Sequence, residues 1–343
     1  MRAPKTTIQD IAREVHVTPS TVSRALNNHG SISEATKQAV NRAAKKLNYR
    51  HNKIASSLRL GRTKILGVII PSAEINFFGS VVHGIEKVAR QKDYNILIYQ
   101  SNEQTACEQE GVETFLRSRV DGVLVSIAKQ TTSFSHLSEI KKRRVPLVLF
   151  DRANDTLGVP SVVVDDYAGA YKAVQHLLEQ GCKRIAHISG PQHVAIFKQR
   201  LEGYTAALKD AGVPLVNDLI IEGSISIESG RCCMHRLLAL QTPPDGVFAV
   251  EDFTALGAMQ AMKEAGVQIP ADVALIGFAN EAFGAYITPS LSTVDQQTIR
   301  MGEEAARLFF DHVEKNDFYK SAPSKKVLEP VLVYRQSSRK NAT

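Results

Sequence analysis

Tryptophan is absent from these 343 residues, and only 6% of them are aromatic. No run of 18 apolar residues occurs, since the strongest stretch, Ile65 to Pro71, is far too short to cross a bilayer, so no membrane partner is expected. The start, MRAPKTTIQDIAREV, has a basic beginning but neither the apolar core nor the small-residue cleavage site of a secretory signal. The chain is therefore expected to stay in the cytoplasm. Four cysteines, Cys107, Cys182, Cys232 and Cys233, show no CxxC or Cys/His metal spacing, and the adjacent pair is poorly placed for a disulfide. They read as reduced structural thiols. Glycine-rich phosphate loops (GxGxxG, GxxxxGK[ST]) and the GxSxG elbow are missing as well, which removes support for nucleotide and hydrolase chemistry. The histidines of the body (His83, His176, His187, His193, His235, His312) are scattered without metal spacing. No catalytic residue, metal or cofactor is implied.

What is present is a globular composition, 43% hydrophobic and 22% charged, on a chain long enough for two to three folding units at about 150 residues each. Charge is divided unevenly. Residues 1–64 hold 13 Lys and Arg against three acids, a balance of +10, whereas the remaining 279 hold 29 against 32. A mildly acidic body with a small basic head is the footprint of a chain that meets a polyanion with one end. DNA, RNA and anionic membrane all satisfy that criterion.

Inside the head, TIQDIAREVHVTPSTVSRALN places apolar residues at Ile8, Ile11, Ala12 and Val15, then Val17, then Val22, Ala25 and Leu26: two short helices and a turn. Thr7 caps the first helix, with Asp10 completing an approximate capping box. Thr18 caps the second, and Pro19 occupies its first position, where a missing N–H costs nothing. His16 stands in the turn, where a positive φ is often needed and glycine is usual. A third helix starts at Ser33 with Ala39, Val40, Ala43, Ala44 and Leu47 inside. The second helix turns Ser20, Thr21, Ser23 and Arg24 outward, hydroxyls and a guanidinium suited to phosphates and a guanine edge in the major groove. A three-helix protein-interaction module is the alternative.

Asn52 to Thr63 has Ile54, Ala55 and Leu58 at helical spacing, but too few residues for a stable isolated helix. It reads as conditional structure that orders on a partner, or as a plain linker. From residue 65 onward, short apolar runs alternate with amphipathic helical stretches in two series. The first has strands at Ile65–Ile70, Asn95–Tyr99, Gly122–Ser126, Leu147–Phe150 and Val162–Val164. The second has Arg184–Ile188, Leu219–Ile221, Val247–Val250, Ala274–Ile276 and Ser292–Val294. The alternation predicts two doubly wound parallel-sheet subdomains with a cleft at the carboxyl ends of their strands. Crossings are expected near Asp165 and Asp295, and a late strand, Val327–Tyr334, is expected to return to the second subdomain. Asp165 and Asp166 read as a strand-end cap or helix start rather than an acid/base pair.

The segment IQDIAREVHVTPSTVSRALN resembles the amino-terminal motif of the lactose-repressor/galactose-repressor (LacI/GalR) family of bacterial transcription regulators. The likeness continues through PSAEINFFGSVVHGIE, DGVLVS, PLVLFDR, QRLEGY, VFAVEDFTALGAMQAMKEAGVQIPADVALIGF and TPSLSTVDQ. It implies an all-α helix-turn-helix domain over 1–50, a hinge over 51–64, and a periplasmic-binding-protein-like α/β core over 65–343. The core divides into subdomain 1 (65–164 and 296–323) and subdomain 2 (165–295 and 324–339). Position by position, Pro19, Ser20 and Arg24 match base-reading residues, and Thr7, Thr21, Ser23 and Asn27 match backbone contacts. In the hinge, Leu58 matches a minor-groove wedge, Ala55 packs nearby, and Arg59 matches a minor-groove contact. The pocket positions are Phe77, Phe78, Ser80, Ser126, Asp151, Arg152, Arg200, Ile225, Glu251, Asp252, Ala279 and Gln296. Three of these depart from common sugar-binding members, which often have an aromatic at Ile225, Asn or Asp at Glu251, and Asp at Ala279. His16 and His51 replace a usual Gly and Pro.

These readings together imply a regulator, not an enzyme. It would bind a double-stranded palindromic operator as a homodimer, under allosteric control by a sugar-like small molecule in the cleft. After Tyr334 no leucine heptad follows, so no tetramerising coiled coil is expected. A nonspecific architectural DNA protein and an α/β enzyme acting on a small carbohydrate are the competing readings.

Overall fold

The computed structural model describes residues 6–49, 62–315, 318–320 and 322–340. The chain forms two compact units, Met1–Thr63 and Lys64–Thr343. In the first, helices α1 (Ile8–Val15), α2 (Pro19–Leu26) and α3 (Glu34–Lys46) close over a core of Ile11, Ala12, Val22, Ala25, Val40, Ala43 and Ala44. The Asp10 carboxylate fastens the start of α1 by accepting from both the backbone N–H (2.8 Å) and the hydroxyl (2.7 Å) of Thr7. Thr18 accepts from the Thr21 N–H at 3.2 Å and so caps α2. His16 sits at φ 54° and ψ 42°, the left-handed corner that the turn demands. The hinge positions Ala55, Leu58 and Arg59 lie outside the described residues.

The second unit holds two lobes. In the first, β1 (Ile65–Ile70), β2 (Asn95–Gln100), β3 (Gly122–Val125), β4 (Leu147–Phe150), β5 (Ser161–Val164) and β11 (Lys325–Leu328) make a six-stranded parallel sheet in the order β11-β5-β4-β3-β1-β2. Helices α4 (Asn76–Gln91) and α11 (Thr298–Lys315) cover one face and α5 (Thr105–Arg117) and α6 (Ser135–Lys142) the other. The pair α4 and α11 approaches closely at two glycines: a Cβ on Gly84 would lie 2.1 Å from the Ile299 carbonyl, and one on Gly302 2.0 Å from that of Val81.

In the second lobe, β6 (Ile185–Ser189), β7 (Ile220–Glu222), β8 (Gly246–Ala249) and β9 (Ala274–Ile276) form a parallel sheet ordered β7-β6-β8-β9. It is covered by α7 (Asp166–Glu179) and α8 (Ala195–Asp210) on one side and by α9 (Ile227–Leu238) and α10 (Asp252–Glu264) on the other. An antiparallel pair, β10 (Thr293–Asp295) and β12 (Val331–Val333), lies at its margin, with Ser292 bridging to Ile276.

The late strand differs from the sequence reading. Val327–Tyr334 is not one strand of the second subdomain: Lys325–Leu328 stays in the first sheet beside β5, and only Val331–Val333 joins the second lobe. Residues 324–328 thus belong with subdomain 1. The break falls at Pro330, which has no N–H to give a ladder and marks the third crossing between lobes. The other two crossings are at Asp165, whose N–H donates to the Leu328 carbonyl, and after Asp295. Among the described residues, no helix is long and apolar enough to cross a membrane.

Candidate functional site

In the first unit, α2 presents an exposed polar edge. Pro19, Ser20, Arg24 and Asn27 are exposed, and Thr21 and Ser23 are half-buried. The hydroxyl of Thr18 lies 2.8 Å from that of Ser20 and 2.9 Å from that of Thr21, so one cap residue gathers the hydroxyls of the first turn. Asn27 Nδ2 donates to the Ser23 carbonyl at 2.7 Å and closes the far end. Arg24 forms no ion pair among the described residues, which leaves its planar fork to an outside partner. Thr7 is exposed at the start of α1, its hydroxyl held by Asp10.

In the second unit, a cavity of about 550 Å³ opens between the two lobes. Nine of the twelve expected residues line it: Phe77, Phe78, Asp151, Arg152, Arg200, Ile225, Glu251, Ala279 and Gln296. Phe77 and Phe78, at the amino-terminal turn of α4, pack edge to face with ring centroids 5.0 Å apart, and both are also core residues of their lobe. Three expected residues do not line it. Ser80 lies a turn further along α4, half-buried away from the opening. Ser126 is buried behind Asp151 and donates to its Oδ2 at 3.1 Å. Asp252, the first residue of α10, turns back into its own lobe, where it accepts from the Thr293 hydroxyl (2.7 Å) and the Glu281 N–H (2.7 Å).

The sequence reading missed Glu103, Lys129, Phe197, Phe253 and Glu281, all of which face the cavity. Glu103 and Glu281 follow the ends of β2 and β9, and the rule that ligands meet the carboxyl ends of strands reaches them. Arg152 Nη1 donates to both oxygens of Glu103 at 3.0 and 2.7 Å, and Lys129 Nζ lies 3.5 Å from the same carboxylate. Burial raises Glu103, but these two cations outweigh it and hold the carboxyl below its ordinary range. Arg200, only 3% exposed, is locked from behind: Nε and Nη2 reach Asp166 Oδ1 at 2.7 Å, Nη1 donates to the Val250 carbonyl at 2.6 Å, and the guanidinium lies 3.7 Å from the Phe278 ring centroid. Asp165 accepts from the Ala168 N–H and caps α7, while Asp166 became the buried partner of Arg200.

The backbone carries strain here. Glu103, Asp151 and Ile225 have φ of 61°, 60° and 61°, and Ala279 has φ 130°, a region that favours glycine. Ala279→Gly should relieve about 1 kcal/mol net of glycine's greater unfolded entropy. The core should then melt about 2–4 °C higher in a thermal-unfolding scan. An unchanged or lower melting temperature would show that this loop is not strained.

Titration gives a second expectation. Burial pushes Asp252 up to about 7 from an ordinary 3.8, so the folded state holds this proton more tightly than the unfolded chain. The stability it brings is fully present below the unfolded value and lost as pH rises through about 7. Buried His187, pushed down to about 4, works oppositely by costing stability as pH falls below 6.5. Between about pH 8 and 6.5 Asp252 adds about 0.8 kcal/mol of stability and His187 takes back about 0.4, so the protein should gain about 0.4 kcal/mol over that step, and Asp252→Asn, itself destabilising, should turn the gain into a small loss.

The family described as "Bacterial regulatory proteins, lacI family" matches residues 7–52, and the one described as "Periplasmic binding proteins and sugar binding domain of LacI family" matches residues 63–326. The HTH-type transcriptional repressor PurR of Mannheimia succiniciproducens is 32% identical, over 98% of this chain and 99% of its own length. Among solved structures, a complex of the transcriptional regulator CelR with cellobiose superposes with a TM-score of 0.73 at 29% identity, covering 97% of this chain and all of the other. The lac repressor dimer bound to operator and the anti-inducer ONPF shares the fold, with a TM-score of 0.86 at 24% identity over 98% of this chain and 99% of its own.

Proposed function

This chain belongs to the LacI family of bacterial regulatory proteins, and from that membership we propose that it represses transcription by binding a palindromic operator as a homodimer, under control of a sugar-like effector held between the lobes of its core. The observation that carries the reading is the exposed edge of α2, a row of hydroxyls ending in the exposed guanidinium of Arg24 on a basic three-helix unit. Pro19, Ser20 and Arg24 read bases, while Thr7, Thr21, Ser23 and Asn27 hold the phosphate backbone. Ala55, Leu58 and Arg59 serve the minor groove. The nine cavity residues, with Ser126 and Asp252 as supports, hold the effector.

Control follows from the cavity's position. A ligand that touches both lobes changes their relative stability in the open and closed arrangements, and this coupling to the DNA-binding end is reciprocal and typically about 1–3 kcal/mol. Nothing in the cavity calls for turnover. The relatives act on DNA, which supports a cytoplasmic site of action.

Footprinting of genomic fragments with the full-length protein, coupled to sedimentation of the complex, tests the proposal. A protected two-fold-symmetric stretch bound by two chains is the expected result. Equal affinity for that stretch and a scrambled duplex would favour an architectural DNA protein instead, and saturable conversion of a carbohydrate would favour an enzyme.

A further inference from the structure

The charges that line the interlobe cavity do not balance. Glu74, Glu103, Asp151, Glu228, Glu251 and Glu281 face Lys129, Arg152 and Arg200. Each cation is already matched inside the protein: Arg152 and Lys129 by Glu103 and Asp151, and Arg200 by Asp166 behind the wall. On the second-lobe wall the situation is reversed. Among the described residues, Glu251 accepts only from the Phe253 and Thr254 N–H groups and the Thr254 hydroxyl, and Glu281 only from the Phe77 N–H at 3.3 Å, across the cleft. Neither forms an ion pair among the described residues. A carboxylate has about four acceptor sites, so these two, both lining the cavity, retain free acceptors.

On the first-lobe wall, Arg152 Nε is buried without a hydrogen-bond partner among the described residues, and Asp151 Oδ2 lies 3.8 Å away.

Resting on the reading of this cavity as the effector site, we propose that it selects a ring ligand without negative charge, presenting hydroxyl or amino donors to Glu251 and Glu281, and that these two residues reject phosphorylated and uronate forms. The four phenylalanines Phe77, Phe78, Phe197 and Phe253 supply apolar walls for the ring faces, and the carboxylates read its donor edge. Like charges brought together in a desolvated site are strongly penalised, so the same ring with a phosphate or carboxylate should bind at least about tenfold more weakly. Burial raises both Glu251 and Glu281, and for Glu251 the charge of Arg200 opposes that rise only in part.

The test is thermal shift followed by calorimetric titration on the full-length protein. The panel pairs neutral and amino pentoses, hexoses, disaccharides and ribonucleosides with their phosphate and uronate counterparts. The expected result is that the ligand with the greatest shift is neutral or amino, and that Glu281→Gln and Glu251→Gln each shrink the anion's disadvantage several-fold. Gln keeps an acceptor oxygen for the Phe77 N–H in the first variant. A phosphate or uronate as the tightest ligand overturns the proposal. So does a panel in which no ring compound binds, or an anion penalty unmoved in both variants. Operator footprinting on the same preparations separates these failures from failure of the regulator reading, since a protein that still protects its operator remains a regulator whatever it binds.

Discussion

Arg24→Ala should remove about 1–3 kcal/mol of discrimination between the operator and its single-base variants while leaving the fold intact. Arg24 is exposed in the last turn of α2 and contributes nothing to the core of Ile11, Val22 and Val40, so its loss should change stability by no more than about 0.5 kcal/mol. The guanidinium matches the O6 and N7 acceptors of guanine two to two, and an alanine offers neither donors nor a clash, so the variant becomes permissive at that base pair. Competition binding at one fixed salt concentration measures this, because phosphate contacts shift all affinities together with salt. Preserved discrimination would mean that α2 does not read bases.

Arg200→Met should be the most damaging single change in the core, at about 3–5 kcal/mol, because it strands the Asp166 carboxylate in the interior. Burial already pushes Asp166 up to about 6, with Arg200 opposing that rise. Without the guanidinium the carboxyl should take up a proton at still higher pH. The variant's deficit should therefore shrink on acidification, as the proton replaces the missing charge. Pairing it with Asp166→Asn should restore much of the loss, leaving the cost of the Val250 and Phe278 contacts that the guanidinium also makes. Chemical denaturation of the four proteins gives the coupling energy directly. If the double variant is no more stable than Arg200→Met, the pair does not act as a unit. Effector binding should disappear in every variant lacking Arg200, read by titration at a temperature where the protein remains folded.

The departures from expectation share one cause. Ser126 and Asp252 occupy positions that the family resemblance assigns to the pocket, yet one steadies Asp151 and the other ties β10 to the loop carrying Glu281. A position in the chain says which strand end a residue follows, but not whether its rotamer turns toward the opening or back into the lobe. The fate of Lys325–Leu328 is similar. Val327 and Leu328 give it the apolar residues of a strand, while its neighbour is decided by the free edge of β5, some 160 residues earlier in the chain.

The local elements were legible in the order of the residues. The three helices of the head, the caps at Thr7 and Thr18, the left-handed turn at His16 and the alternating strands and helices of the body each depend on residues within a few positions of one another. Hydrophobic period and capping chemistry act at that range. Which groups face one another in the cavity was set by packing: Glu103 against Arg152, 49 residues away, and Glu281 against the Phe77 N–H, 204 residues away. Such pairings are set by how two sheets and their covering helices pack, and packing geometry depends on the whole chain at once.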